Sequence, residues 1–171
     1  TDKESTFYYF RKGSKLFVIE TNKEESSKNY YYINLSNSKD FTLVPFLKED
    51  DHDYNFVNFV NDDIYYINRE FPWGSLSKFS INDSSVQTTV IPQYYNHLLI
   101  ETYFTKDYII CKYKHDGSYY INVNDYNGKL VRKFEAPYSM NLTIRFFDSK
   151  TNDLYVTFYS YTISYLNYKL N

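Results

Sequence analysis

Four short apolar runs recur along the chain at nearly equal intervals, and each follows a polar turn. Their first residues lie 48, 44 and 46 residues apart. A short run that is apolar at almost every position is typical of a strand buried on both faces. The pattern therefore predicts one such strand in each of four repeats. The runs are Leu16–Ile19, Ile64–Ile67, Tyr108–Cys111 and Leu154–Phe158.

Each run leads into a segment in which apolar and polar residues alternate. In the third repeat Tyr119, Ile121 and Val123 alternate with polar residues, as expected of a strand with one wetter face. The pairs Asp116-Gly117 and Asn127-Gly128 flank this strand, and both favour type I′ turns because they tolerate positive φ. Where glycine is absent, we expect Asn and Asp at the left-handed turn positions.

The repeat predicts an all-β fold. A period of about 40 to 50 residues with four short strands is typical of β-propeller blades, whereas a β-sandwich has no reason to repeat at even intervals. We therefore predict a single partial β-propeller domain over residues 1–171. It contains about three and a half four-stranded antiparallel blades, and the last blade stops after its third strand. The predicted blades are 5–47, 54–91, 97–135 and 140–170.

Three and a half blades leave a physical problem at the ends of the array. Propellers protect their strand edges by closing radially, typically with at least about four blades. An open array exposes two blade faces, and such surfaces normally mark an interface. Two explanations stay open at this stage. The chain is a fragment with further blades upstream, or copies of it associate to complete a ring.

Composition narrows the classes of partner. A net charge of −2 lacks the basic excess that nucleic-acid binding requires. No apolar stretch reaches the length of about 18 residues that a membrane helix needs. The single cysteine, Cys111, lies in an apolar run and is predicted to be a small buried hydrophobe. We expect a cytoplasmic protein that binds neither nucleic acid nor membrane.

The sequence contains no recognisable reaction centre. An α/β-hydrolase nucleophile requires Gly-x-Ser-x-Gly, because its strained strand-to-helix turn admits only small residues. No two of the four glycines lie four residues apart. The three histidines, His52, His97 and His115, are interpreted as polar turn or edge residues. We therefore predict no catalytic residue in this chain.

One acidic run is a candidate cation site. Residues Glu49 to Asp53 include four carboxylates and one histidine, and hard cations prefer several convergent oxygen ligands. Calcium loops, however, space their ligands around a glycine turn, which this run lacks. We interpret it as a solvated loop between blades, and we predict no metal and no cofactor.

Three segments resemble the propeller of the prolyl oligopeptidase family, which includes oligopeptidase B. Asn68–Leu76 is similar to the family's Thr-Asn-Arg-x-x-Pro-x-x-x-Leu stretch between the second and third strands of a blade, with Ile67 in place of the threonine. Val86–Pro92 is similar to its outer strand ending in Val-Leu-Val-Pro. Phe158–Tyr161 with Tyr165–Tyr168 resembles the end of its last blade, although Ser164 stands where the family usually has proline. The resemblance covers nearly the whole chain and points to the C-terminal blades.

The resemblance implies a seven-bladed propeller above an α/β-hydrolase domain that this chain lacks. Such a parent protein is a serine-type peptidase, and its propeller lets short peptides reach the serine while folded proteins do not. The loops that join second to third strands, and one blade to the next, lie on the rim that faces the hydrolase. The predicted second-to-third-strand loops are 21–28, 69–75, 114–117 and 161–163. The residues expected to contact substrate or hydrolase there are Arg69, Glu70, Trp73, Lys114 and His115.

Two alternatives to this function remain. A propeller without a reaction centre also suits a non-enzymatic scaffold for protein partners. A half-propeller that associates with a second copy is the other alternative.

Overall fold

The computed structural model describes residues 5–12, 14–22, 28–36, 41–50, 54–136, 140–148, 151 and 153–170. All regular secondary structure in these ranges is β-strand, which confirms the all-β prediction. The described ranges accordingly contain no helix of the length and apolarity needed to cross a bilayer.

Within the described residues, fifteen strands form four antiparallel sheets, which we call blades 1 to 4. Strands follow one another in chain order within every blade, and blade 4 has three strands where the others have four. This is the predicted partial propeller architecture. The strands are β1 (Ser5–Lys12), β2 (Lys15–Asn22), β3 (Lys28–Asn34) and β4 (Val44–Asp50) in blade 1; β5 (Asn55–Val60), β6 (Asp63–Asn68), β7 (Ser75–Ser80) and β8 (Asp83–Ile91) in blade 2; β9 (Leu98–Phe104), β10 (Ile109–His115), β11 (Ser118–Asn124) and β12 (Leu130–Glu135) in blade 3; and β13 (Asn141–Asp148), β14 (Asp153–Tyr159) and β15 (Leu166–Leu170) in blade 4.

The chain divides into two compact units, which are described separately. Unit 1 contains residues 1–66 and 78–88, and unit 2 contains residues 67–77 and 89–171. The assignment of residues 1–171 to a single domain stays a prediction.

Aromatic side chains dominate the core of unit 1. Phe17 of β2 stacks on Phe59 of β5 with ring centroids 3.7 Å apart, and Tyr30 of β3 is fully buried. These rings join blade 1 to the unit 1 part of blade 2. Only Phe17 of the predicted central run Leu16–Ile19 is buried, so this strand is less enclosed than its sequence predicts.

Aliphatic side chains form the core of unit 2, between blades 3 and 4. Ile110 and Ile121 of blade 3 pack in one buried cluster with Leu142, Leu154 and Val156 of blade 4. The predicted central strands β10 and β14 are buried at most positions. Cys111 has no exposed surface, as predicted.

Of the two turns predicted for blade 3, the structure confirms one and contradicts the other. Asp116 and Gly117 both have positive φ, 45° and 79°, as a type I′ turn requires. At the second site only Gly128 is left-handed, with φ 81°, so the predicted type I′ turn at Asn127-Gly128 is wrong. The Asp125 carboxylate accepts hydrogen bonds from the Asn127 and Lys129 amides, both at 2.9 Å. It stabilises a three-residue loop with a bulge at the glycine instead.

Candidate functional site

Three connections meet at one end of the blades in unit 2. They are the β6–β7 connection (69–74), the β8–β9 connection (92–97) and the β10–β11 turn (116–117). The Leu99 amide donates to the Trp73 carbonyl at 2.8 Å, and the Asn96 side-chain amide donates to Asp116 Oδ1 at 3.4 Å. These contacts bring five side chains into what we call the rim cluster. Its members are Trp73, Tyr95, His97, His115 and Tyr120.

The β6–β7 connection is ordered by local hydrogen bonds. The Glu70 amide donates to the Asn68 side-chain oxygen at 2.9 Å, and the Gly74 amide donates to the Phe71 carbonyl, also at 2.9 Å. Gly74 has φ 76°, a conformation that favours glycine. The tight turn places the Trp73 ring edge-on to Tyr95, with centroids 6.1 Å apart and planes at 72°. Edge-on packing is a preferred aromatic geometry.

The β8–β9 connection is a short turn that presents Tyr95 to solvent. The His97 amide donates to the Tyr94 carbonyl at 3.0 Å, and Asn96 is left-handed with φ 62°. Asparagine is among the residues that tolerate this conformation. Tyr95 is 86% exposed, while His97 is partly buried. The turn therefore carries one aromatic ring outward and one imidazole inward.

Two histidine rings stack beneath this turn. The rings of His97 and His115 lie 3.9 Å apart at an interplanar angle of 18°. His115 Nδ1 is 2.8 Å from the Asn96 carbonyl. Because a carbonyl only accepts, Nδ1 carries a proton. His115 Nε2 lies 3.3 Å from the Asp116 carboxylate. The stack therefore ties the β8–β9 connection to the end of β10.

Polar partners surround the His97 ring. His97 Nδ1 lies 2.9 Å from the Tyr120 hydroxyl. The pKa of His97 is lowered by burial, with further contributions from His115 and Lys133. Burial raises the pKa of Tyr120 to about 12, so its hydroxyl keeps its proton near neutral pH. Lys133 Nζ lies 4.5 Å from the Tyr120 ring centroid and 2.6 Å from the Glu135 carboxylate.

An open depression of about 250 Å³ lies beside the stacked rings. Lys133, Glu135 and Ser118 line it together with the two histidines. Its lining carries both signs of charge, so it has no strong preference for an anion or a cation. Within the described ranges, no group of three or more His, Cys, Asp or Glu side chains is arranged to hold a metal ion.

Three of the five residues predicted for the rim lie in the β6–β7 connection. Lys114 and His115 lie at the end of β10, so the connection predicted over 114–117 is shorter than expected and contains only residues 116–117. Arg69 and Glu70 are exposed in the β6–β7 connection, where Trp73 is partly buried. Lys114 is exposed at the end of β10, with Nζ 5.8 Å from the Tyr119 ring centroid, and His115 is in the rim cluster. Trp73 and His115 each contact the region of the β8–β9 connection. Whether these five residues bind substrate or another domain stays a prediction.

Sequence reasoning missed Tyr95, Asn96 and His97 as rim residues. These residues could have been predicted from the expectation that blade-to-blade loops share a rim with second-to-third-strand loops. Applied to residues 92–97, it would have placed them beside the other two connections. Other predicted features lie outside the described residues, namely positions 23–27 of the first loop and positions 51–53 of the acidic run.

Repeated antiparallel four-stranded blades define the chain as part of a β-propeller. Over residues 1–171 its sequence matches the family described as prolyl oligopeptidase, N-terminal beta-propeller domain. The chain belongs to this family, as its sequence motifs predicted. No individually curated protein matches it in sequence.

Solved structures with the same fold include several peptidases. One belongs to a study of two prolyl endopeptidases and the role of inter-domain dynamics in catalysis and specificity (17% identity, TM-score 0.76, 98% of this chain and 25% of that one). Prolyl oligopeptidase B from Galerina marginata is another (13%, 0.74, 98% and 25%). A third is oligopeptidase B from Trypanosoma brucei with covalently bound antipain (11%, 0.67, 96% and 25%). This chain thus spans about a quarter of each structure's length, and at these identities the likeness concerns the fold alone.

Proposed function

We propose that this chain is part of the propeller of a serine oligopeptidase and gates the access of short peptides to an α/β-hydrolase domain of the same parent protein. The observation that carries the proposal is membership of the prolyl oligopeptidase propeller family over residues 1–171. The related fold also occurs in enzymes described as prolyl endopeptidases and oligopeptidase B. The parent protein is accordingly proposed to hydrolyse peptides, with its catalytic residues outside this chain.

The rim cluster is the proposed contact with the hydrolase domain or with the peptide. Tyr95 and Phe71 are exposed on neighbouring connections, and Trp73 supports Tyr95 from beneath. Aromatic residues and arginine are enriched in protein interfaces, and charged residues surround the aromatic centre of such surfaces. We propose that Arg69 and Lys114, whose side chains are exposed, form that charged border. An inter-domain contact of this type normally leaves room for relative motion.

Exposed apolar side chains support the proposal that further blades complete the propeller. Phe7, Tyr8 and Tyr9 of β1 and Phe146 of β13 are more than half exposed, and Tyr168 of β15 is 43% exposed. Extended apolar surface exposed to water normally marks an interface. Neighbouring blades in a ring of seven would cover them, and a second copy of the chain is the alternative cover.

The test begins with the reading frame that encodes this chain. We expect it to encode a Gly-x-Ser-x-Gly segment, with Asp and His later in the sequence, because that order is typical of α/β-hydrolases. The complete protein should cleave a short fluorogenic peptide, and a serine-directed covalent inhibitor should abolish the cleavage. A complete protein that lacks the motif and does not react with the inhibitor would instead support a non-enzymatic scaffold.

Gating is tested by comparing a short and a long peptide substrate on the complete enzyme. Tyr95→Ala removes the exposed ring of the rim cluster, and Val86→Ala is the control, since Val86 is 63% exposed on the outer strand β8. Truncating an interface aromatic commonly costs about 1–2 kcal/mol, or roughly 5- to 30-fold. We expect Tyr95→Ala to lower the short-to-long ratio of kcat/KM by a factor in this range. Equal ratios in both variants would contradict a gating role for the rim cluster.

A further inference from the structure

The stacked histidines hold two separate segments of the chain together. Asn96 and His97 belong to the β8–β9 connection, whereas His115 and Tyr120 belong to the β10–β11 hairpin. Three contacts between them involve an imidazole ring: the ring stack at 3.9 Å, the His115–Asn96 hydrogen bond at 2.8 Å and the His97–Tyr120 hydrogen bond at 2.9 Å. A fourth, the Asn96–Asp116 side-chain hydrogen bond at 3.4 Å, does not. The position of Tyr95 therefore depends on groups that can change charge near physiological pH.

The surroundings of the pair disfavour a positive charge on both rings at once. His115 Nδ1 donates to the Asn96 carbonyl, and its Nε2 lies beside the Asp116 carboxylate. A neutral His97 ring with its proton on Nε2 accepts a hydrogen bond from the Tyr120 hydroxyl at Nδ1, whereas a protonated ring donates there and the hydroxyl oxygen must accept. A second proton would place two cations less than about 4 Å apart, and like charges at that distance disfavour ionisation.

The nearby carboxylates compensate a charge on His97 only in part, because the effect of Asp116, which raises the pKa of His97, is smaller than the effects of burial, His115 and Lys133, which lower it. Asp116, in the β10–β11 turn, already faces His115 Nε2. Glu135, on β12, already pairs with Lys133. Lys133 itself adds positive charge close to His97, and the phenols of Tyr94 and Tyr120 stay neutral because burial raises the pKa of both.

We propose that the His97–His115 stack is an acid-sensitive fastening of the β8–β9 connection, which holds Tyr95 in place while His97 is neutral and releases it when His97 is protonated. The fastening itself is a property of this chain. Its consequence, weaker contact between the rim cluster and a hydrolase domain at acid pH, rests on the proposed function.

The sign of the effect follows from linkage. The pKa of His97 is lowered in the folded chain, so between that value and the ordinary value of about 6.5 the unfolded or released state binds more protons. The fastened state is therefore fully favoured above the ordinary value. It loses stability as the pH falls from about 6.5 through the folded pKa.

Trp73 provides a single reporter for this transition. It is the only tryptophan of the chain, and its ring packs against Tyr95. We expect its fluorescence emission in the 171-residue chain to change on acidification, with a midpoint below about 6.5. The far-UV circular dichroism of the sheets should stay unchanged over the same interval. A fluorescence change that coincides with loss of the sheet signal would mean global unfolding and would overturn the proposal.

Variants assign the transition to the pair. His97→Phe keeps an aromatic ring but cannot be protonated, so it should abolish the fluorescence transition. His52→Gln removes the third histidine and should leave the transition unchanged. If His97→Phe does not fold, His115→Gln serves instead, because removing the like charge should move the midpoint upward towards the ordinary histidine value. A transition that persists in His97→Phe, or a midpoint that moves downward in His115→Gln, contradicts the fastening.

These measurements need no hydrolase domain, so they separate the two proposals. If the fluorescence transition occurs in this chain and the parent protein lacks a serine nucleophile, the fastening proposal is retained and the peptidase proposal is rejected. The absence of any transition between about pH 7 and 5 would reject the fastening and leave the peptidase proposal unaffected.

Discussion

Replacing Gly128 by alanine tests how closely the blade 3 turn approaches the end of β8. A methyl group on Gly128 would lie 1.9 Å from the carbonyl oxygen of Val90 and 3.0 Å from its carbonyl carbon. Gly117, in the other turn of the same blade, has almost the same φ, 79° against 81°. A methyl group there would meet no atom within 4 Å. Gly117→Ala is therefore a matched control for the left-handed conformation.

The two substitutions share their conformational cost and differ in steric cost. Placing alanine in the left-handed region costs about 1–2 kcal/mol, and reduced freedom of the unfolded chain offsets about 0.4–1 kcal/mol of this. Gly117→Ala should therefore destabilise the chain by about 0–1.6 kcal/mol. Gly128→Ala must also displace backbone, which costs about 1–3 kcal/mol more by comparison with overpacked cores.

Equilibrium unfolding in urea and thermal denaturation measure the difference. A domain of this length changes its Tm by about 2–4 °C per kcal/mol. We expect Gly128→Ala to melt about 2–12 °C below Gly117→Ala. Equal stabilities of the two variants would show that the turn at 125–129 does not contact Val90. The described contact between blade 3 and the end of β8 would then be refuted.

Three further predictions concern the buried core and the expected lack of peptidase activity in the isolated chain. Cys111 is completely buried and burial raises its pKa to about 12, so a thiol reagent at pH 8 should label it in denaturant but not in the folded chain. Ile121→Ala opens the core between blades 3 and 4 and should cost about 2–5 kcal/mol in urea unfolding, whereas Val86→Ala on the surface should change stability by less than about 0.5 kcal/mol. The 171-residue chain alone should not turn over proline-containing or dibasic chromogenic peptides, and turnover that a serine-directed inhibitor abolishes would refute this.

The repeat could be predicted because the apolar runs recur at nearly equal intervals along the chain. In blade 2 every residue of the run Ile64–Ile67 is buried, and in blade 3 the run Tyr108–Cys111 is buried except at Tyr108, which is partly exposed. In blade 1 only Phe17 of the corresponding run is buried. The same apolar pattern therefore gives different burial, because burial on the second face depends on a neighbouring sheet. Strand identity follows from the local sequence, but the enclosure of a strand does not.

Turn geometry was only half predictable for a similar reason. Asp116-Gly117 adopts the conformation that its two residues favour, with no longer-range partner required. At Asn127-Gly128 the Asp125 carboxylate holds two amides of the loop and selects a three-residue loop. The residue that decided the conformation lies outside the dipeptide on which the prediction relied.

The candidate site depends on residues that let the chain turn left-handed at the rim. Asn96, Asp116 and the glycines Gly74 and Gly117 all have positive φ where the three connections meet. The chain has only four glycines, and asparagine and aspartate supply the conformation at the other two positions. Unlike glycine, these residues bring side chains with them. The Asn96 amide then bonds to the Asp116 carboxylate, and that carboxylate faces His115. Because Asn and Asp stand at these turns in place of glycine, polar side chains lie next to the histidine pair. Replacing Asn96 by glycine should therefore preserve the turn, but the contacts that hold Tyr95 in position should become weaker.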